Sequence, residues 1–249
     1  MRRGRALWRL AQAVGHGLHG LAIVLFAFPS LDVAARRERI RWWSRKMLAV
    51  LGLAFESDGE PVRHPALLVA NHVSWLDIMA VHAVVPEARF VSKADVKAWP
   101  LVSRLVDAAG TLYLEREKKR DALRVVHAVA AALDGGEVVA IFPEGTTSTG
   151  HGLLPFHANL LQAAIATATP VQPVALRYAD ATHAVSEAVE FIGDTGILTS
   201  LWRTSCGEGV RLRLTFLAPR PSRSADRRAL AAQLHADIGG ALGAAADET

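Results

Sequence analysis

The sequence predicts an α/β fold: a mixed, largely parallel central sheet flanked by helices, with an N-terminal helical hairpin that associates with a membrane. Three observations predict it. From about Pro61 onward, short β-rich runs alternate with helical patterns, which is the signature of strands joined through crossover helices. Residues able to do chemistry recur where the strand-like runs end. A basic, tryptophan-bearing segment precedes the alternation.

That segment, residues 1–58, divides from a domain at 59–249. Ten of the 28 Lys and Arg, but only two of the 24 Asp and Glu, fall in residues 1–46. The basic character therefore belongs to the N-terminus and not to the body, which favours an anionic membrane surface over nucleic acid. Leu18 to Phe28 is an apolar run closed by Pro29, shorter than the roughly 20 residues a comfortable span needs. A signal peptide would share the charged start and short apolar run, yet no small-x-small cleavage site follows cleanly. From Arg36 to Phe55, basic residues alternate with Ile40, Trp42, Trp43, Met47, Leu48 and Val50, an interfacial pattern. The expectation is a hairpin of two helices, about Ala6–Phe28 and Leu31–Phe55, dipping into or lying on one leaflet.

In the body, strands are expected at Ala66–Ala70, Arg89–Ser92, Gly110–Glu115, Val138–Phe142, Val171–Tyr178, Val189–Ile192 and Val210–Leu217. Helices are expected at Trp75–Val84, Pro100–Ala109, Lys118–Leu133, Ala158–Thr167 and Ala225–Leu242. At 249 residues the chain can form one large domain with an appendage. A hydrophobic content of 51% and a mean hydropathy of +0.21 are high for a water-soluble protein. The one cysteine, Cys206, excludes an internal disulfide and a cysteine-rich zinc site. His151 and His157 lie six apart in a loop-like stretch, so no metal is expected. A Gly-x-Ser-x-Gly elbow and the glycine-rich nucleotide loops are absent.

The densest chemical signal is Asn71-His72-Val73-Ser74-Trp75-Leu76-Asp77, where a strand-like run gives way to a helix-like one. An imidazole titrates near neutrality, and a carboxylate beside it fixes its tautomer and raises its basicity. On a continuous helix, residues five apart sit about 140° apart around the axis. His72 and Asp77 meet only if the histidine lies in the turn and the aspartate in the first helical turn. Ser-x-x-Asp before Ile78, Met79 and Val81 marks such a helix start, with Ser74 as the expected N-cap. A bare cap would explain Asp77 as well as catalysis would. A second signal, Phe142-Pro143-Glu144-Gly145-Thr146-Thr147-Ser148, follows an apolar strand and offers backbone N–H and hydroxyl donors to an anionic oxygen. His72, Lys93, Glu115-Arg116 and Glu144 all fall at expected strand ends, where open α/β sheets bind ligands.

With Gly110-Thr111-Leu112-Tyr113-Leu114-Glu115-Arg116 and Val171-Gln172-Pro173-Val174, these make four blocks in order. Across about Pro61 to Tyr178 the chain resembles the glycerophospholipid acyltransferase family, of the lysophosphatidic acid acyltransferase type. The resemblance implies transfer of an acyl group from acyl-CoA or acyl carrier protein to a lysolipid hydroxyl, on the cytoplasmic face of the cell membrane. It implies that His72 is the general base and Asp77 its orienting carboxylate. It implies binding roles for Glu144, Gly145, Thr146 and Thr147, and makes Arg116 and Lys93 candidates for phosphate groups of acceptor or donor. No cofactor beyond the acyl donor is implied, and Pro173 reads as structural. Where relatives commonly carry Arg in Glu-Gly-Thr-x-Ser, this chain has Thr147, and His157 stands where a lysine is frequent. The first expectation for the acceptor is 1-acyl-glycerol-3-phosphate, giving phosphatidic acid. A lyso-ornithine lipid is the alternative, and a non-catalytic lipid-binding protein the second.

Overall fold

The computed structural model describes residues 2–62, 65–93, 100–114 and 119–247. A seven-stranded sheet runs through the centre in the order β1-β7-β6-β2-β5-β3-β4. The strands are β1 (Ala54–Asp58), β2 (Ala66–Ala70), β3 (Arg89–Lys93), β4 (Leu112–Leu114), β5 (Val138–Ile141), β6 (Val171–Ala179) and β7 (Arg211–Phe216). Six neighbouring pairs hold it; all are parallel except β6 with β7. The helices are α1 (Arg2–Ala22), α2 (Val33–Val50), α3 (Leu76–His82), α4 (Pro100–Ala108), α5 (Lys119–Asp134), α6 (Leu161–Thr167), α7 (Ile197–Cys206) and α8 (Arg227–Asp247).

Strand periodicity sorts the core. In β2, Leu67 and Val69 face a layer made by α5, α6 and α8, while Ala66, Leu68 and Ala70 face one made by α1, α2, α3 and α7. All five residues are buried, as expected for a central parallel strand covered on both faces. Pro173 sits inside β6, flanked by β2 and β7. The carbonyl of Pro173 accepts the Leu217 N–H at 3.0 Å, but the proline has no N–H to return. The Gln172 side chain supplies it: its Nε2 donates to the Leu217 carbonyl at 2.9 Å and also to that of Glu60 at 2.9 Å. Gln172-Pro173 is thus a strand with a side-chain substitute for one ladder bond.

The N-terminal hairpin forms, with different ends. α1 continues through a π turn at Ile23–Ala27 and a 3₁₀ turn at Phe28–Ser30. Asp32 then caps α2 by accepting the Ala35 N–H at 2.7 Å. The helix stops at Val50 rather than running to Phe55, because Gly52 adopts φ +87°, the left-handed turn that ends many helices. Residues 54–58, expected to close the helical segment 1–58, instead form an edge strand parallel to β7. Strand pairing over five residues supplies ladder bonds that an exposed last helical turn would lack. The hairpin also belongs to the core: Ala13, Met47, Leu48, Leu51 and Leu53 are buried in it.

Two further elements depart from expectation. Val189–Ile192 is not a strand; Glu187–Val189 is a 3₁₀ turn started by the Ser186 side chain, and β7 already occupies the side of β6 that such a strand would need. α7 was not legible as a helix, because its inward residues are Ser200, Thr204 and Ser205.

Gly52→Val should lower stability by about 1–3 kcal/mol, read as a fall in the denaturant midpoint. The left-handed φ is strained for a β-branched residue, and a Cβ there meets the Arg9 guanidinium. An unchanged midpoint would show that α2 does not need this stop.

Candidate active site

The site grows from the carboxyl end of β2. Asn71, the next residue, is buried and continues the sheet with its side chain: Nδ2 donates to the Leu176 carbonyl at 2.9 Å, and Oδ1 accepts the Leu176 N–H at 2.8 Å. This fixes where the chain leaves the sheet. The turn that follows closes on Asp77, whose N–H donates to the Ser74 carbonyl at 3.1 Å.

Asp77 is 0% exposed. Its Oδ2 accepts N–H bonds from Val73 at 2.7 Å and Ser74 at 2.9 Å, and meets His72 Nδ1 at 2.8 Å. Its Oδ1 accepts the Tyr178 hydroxyl at 2.6 Å. An ionised carboxylate only accepts, so Nδ1 carries the proton. The lone pair of Nε2 is left to take another. The imidazole stays 18% exposed, open enough for a substrate.

His72 is fixed from every other side. Its ring stacks on Phe142, with centroids 3.9 Å apart and planes at 8°. Its N–H donates to Glu144 Oε1 at 2.8 Å, and its carbonyl accepts the Ser148 N–H at 2.8 Å and hydroxyl at 3.2 Å. The turns after β2 and β5 are therefore one hydrogen-bonded unit. These adjacent parallel strands deliver both turns to the same edge, as the sheet rule for ligand sites requires.

The expected binding residues separate by what their side chains already do. Glu144 is 4% exposed and spans the site, holding the His72 N–H on one oxygen and the Leu154 N–H on the other at 2.9 Å. Burial raises its carboxyl above the ordinary value, against those amide bonds. Its carboxylate clamps the two loops together, a structural role that the sequence did not suggest. Thr147 donates its hydroxyl to the Phe191 carbonyl, so that side chain too is engaged by the protein. Gly145, at φ +70°, and Thr146 are exposed beside the His72 turn. Lys93 ends β3 at the same sheet edge, with its side chain outside the described residues. Arg116 lies outside them altogether.

Two roles read differently in three dimensions. Ser74 is not a cap: α3 starts after Trp75 without a side-chain cap bond, and the buried Ser74 hydroxyl has no hydrogen-bond partner among the described residues. Only the returning half of the capping box forms, from the carboxylate to the Ser74 amide. Tyr178 carried no signal in the sequence. β6 overshoots β2, which pairs no further than Val174, and the extra residues bring the phenol over Asp77. Burial first, then the Asp77 charge, push that phenol well above its ordinary range, so it stays a donor.

A histidine–carboxylate pair at the carboxyl ends of the parallel strands of an open α/β sheet is an arrangement able to accept a proton from a group brought to Nε2, the chemistry of an enzyme. Comparison with known proteins narrows it. The acyltransferase family model matches residues 54–177. The lyso-ornithine lipid O-acyltransferase of Pseudomonas aeruginosa is 39% identical over 94% of this chain and 92% of that protein. The 1-acyl-sn-glycerol-3-phosphate acyltransferase of Neisseria meningitidis serogroup B is 38% identical over 78% of this chain and 76% of its own length. The crystal structure of the 1-acyl-sn-glycerophosphate (LPA) acyltransferase PlsC from Thermotoga maritima shares the fold, with a TM-score of 0.75 at 20% identity over 98% of this chain and 97% of that one. The chain belongs to the acyltransferase family.

Tyr178→Phe removes one of four donors from a buried carboxylate, a loss of about 1–3 kcal/mol in stability. Turnover should fall as well, because the carboxylate that holds the His72 ring loses its buried phenol donor, with the far-ultraviolet spectrum intact. An unchanged kcat would leave Tyr178 a core residue only. Ser74→Ala, by contrast, should leave the melting temperature unchanged or raised; a fall of several degrees would restore the serine as a cap.

Proposed function

We propose that the chain transfers a fatty acyl group from acyl-CoA or acyl carrier protein to the free hydroxyl of a lysolipid, first of all 1-acyl-glycerol-3-phosphate, yielding phosphatidic acid. The observation that carries this reading is the His72 ring, locked through Nδ1 onto a fully buried carboxylate and presenting Nε2. His72 Nε2 takes the acceptor's hydroxyl proton while that oxygen forms its bond to the thioester carbonyl. The carbon–sulfur bond then breaks, and the departing thiolate takes the proton back. Asp77 stabilises the imidazolium between these steps, as in hydrolytic triads, with the substrate replacing the serine. A thioester is already activated, so the scheme needs no cofactor or metal. Gly145 and Thr146, and by family resemblance Arg116 and Lys93, are the groups placed to meet the acceptor or the donor's phosphates.

A lyso-ornithine lipid is the second acceptor reading. It is favoured by the Pseudomonas relative, matched over 92% of its length. It is also favoured by Thr147, a short hydroxyl tied to Phe191 where a phosphate-binding arginine is common in the family.

The expected place of action is the cytoplasmic face of the cell membrane. The helical stretch Arg3–Ser30 is long enough to cross a bilayer and holds an 18-residue window of mean hydropathy 1.5. One side of it packs into the domain through Ala6, Ala13, His16 and Gly20. A helix so packed can give lipid only its other side, which suits lying along one leaflet.

Purified enzyme with labelled acyl-CoA, offered lysophosphatidic acid and lyso-ornithine lipid in parallel, should acylate one of them. His72→Ala should lower kcat by roughly 10²–10⁴-fold with unchanged circular dichroism. A near-normal rate would overturn the general-base role, and binding without turnover of either lipid would mark a lipid-binding protein.

A further inference from the structure

Helix α7 turns polar residues inward and two large apolar ones outward. Its inward face sets Ser200, Thr204 and Ser205, all essentially unexposed, beside the core-packed Leu201, while Leu198 is 71% exposed and Trp202 37% exposed one turn apart on the outer face, with Thr199 and Arg203 also exposed. A helix facing water shows the opposite arrangement. The inward polar groups are in part satisfied locally. Ser200 Oγ accepts the Trp75 indole N–H at 3.1 Å, and Thr204 Oγ1 donates to the Ala188 carbonyl at 3.2 Å.

The neighbour of α7 is α1, and the two are joined at one end. Arg9 Nη1 donates to the carbonyls of Ser205 at 3.3 Å and Gly207 at 2.8 Å, and Arg5 pairs with Glu208. α1 and the π turn that continues it have large apolar residues outward: Leu7, Trp8, Val14 and Leu18 on the helix and Leu25 and Phe26 on the turn are all exposed. At 100° per residue, Leu7, Val14 and Leu18 form one stripe of α1, with Trp8 along its flank. Both helices turn their inner sides to one core layer, α1 through Ala13 and α7 through Leu201. Their outer sides therefore look away from the domain in a common direction.

We propose that α7 is a second membrane-docking element, which extends the lipid contact of α1 onto the acyltransferase domain itself. The occupant is a lipid bilayer, and three features favour it. The apolar face of α7 continues that of a helix apolar enough to span. Leucine with tryptophan suits the boundary between headgroups and acyl chains. The exposed Arg203 beside Trp202 suits anionic headgroups. This proposal rests on the membrane reading of the N-terminus and adds a consequence. Trp75, held by Ser200, directly precedes α3 and Asp77, and Phe191, which holds Thr147, lies in the segment leading into α7. Lipid contact at α7 sets the mouth of the site at the bilayer surface, where a lysolipid acceptor already resides.

The test compares two variants of the full chain in flotation with vesicles of phosphatidylethanolamine and phosphatidylglycerol. One is Leu198→Glu with Trp202→Glu on α7; the other, the α1 variant, is Leu25→Glu with Phe26→Glu on the π turn that continues α1. Each should weaken vesicle partitioning by about tenfold or more while leaving the far-ultraviolet spectrum intact. As a check independent of charge, an environment-sensitive label at Leu198→Cys in a Cys206→Ser background should shift to the blue on vesicles and be quenched by brominated lipid. If the α1 variant detaches while the α7 variant binds like wild type and the label is unquenched, the proposal is overturned and the N-terminal reading stands. If wild type does not bind vesicles at all, the membrane reading fails with it. Loss of an oligomer in the α7 variant, without loss of lipid binding, would make this face a protein interface and overturn the proposal.

Discussion

A carboxylate removed entirely from water must find donors for its oxygens inside the protein, or folding would cost several kcal/mol. Asp77 is in that position, and four groups answer it: two amides of its own turn, the His72 ring and the Tyr178 hydroxyl. Much of the site follows from this constraint. The amides fold the turn, the ring acquires its tautomer, and the phenol ties the helix start to β6. The interaction that fixes the His72 ring is also the one that shapes the local chain. Structure and chemistry cannot be separated at this residue.

Around it, side chains repeatedly stand in for backbone. Asn71 extends the β2–β6 ladder one step past the last strand residue, and Gln172 replaces the N–H that Pro173 lacks. Glu144 bridges two loop amides that have no strand to pair with. Each device closes the hydrogen-bond account of a buried polar group near a strand end, where ladders run out. The loops bearing His72 and Glu144 are consequently as constrained as the sheet. Rigid placement of this kind is what a base needs in order to meet a hydroxyl in reacting geometry.

The two faces of the molecule carry different outward chemistry. Beneath α5, α6 and α8 the polarity is that of a water-soluble α/β protein, with apolar residues inward. On the other face α1 and α7 reverse it outward, and small or polar residues make the inner contacts: Ala6, Ala13 and Gly20 in one, Ser200 and Thr204 in the other. Gly20 is needed because Trp43 lies against it, with the indole N–H donating to the His16 carbonyl at 3.0 Å. Small residues let these helices approach closely.

Legibility followed the kind of pattern each segment carries. β2, β3, β5, β6, β7 and the helices α3, α4, α5, α6 and α8 were readable, give or take their ends, since strict periodicity and apolar runs announce which side is buried. The edge strand β1, exposed along most of its length, carries no such pattern. α7 carries a pattern of the wrong sign for water. The expected strand at Val189–Ile192 had the composition but no free neighbour to pair with. At the site, His72 and Asp77 were legible because both lie within seven residues of one turn. Tyr178 and the clamping role of Glu144 were not, because their partners are distant in the chain and only the parallel register of β2, β5 and β6 brings them together. The sequence by itself determined the sheet's alternation, the pairing of His72 with Asp77, and the family. Tertiary structure decided who holds that carboxylate, which loop residues are still exposed at the site, and which helices carry large apolar residues on their outer sides. Those depend on contacts across more than 70 residues, which no local spacing encodes.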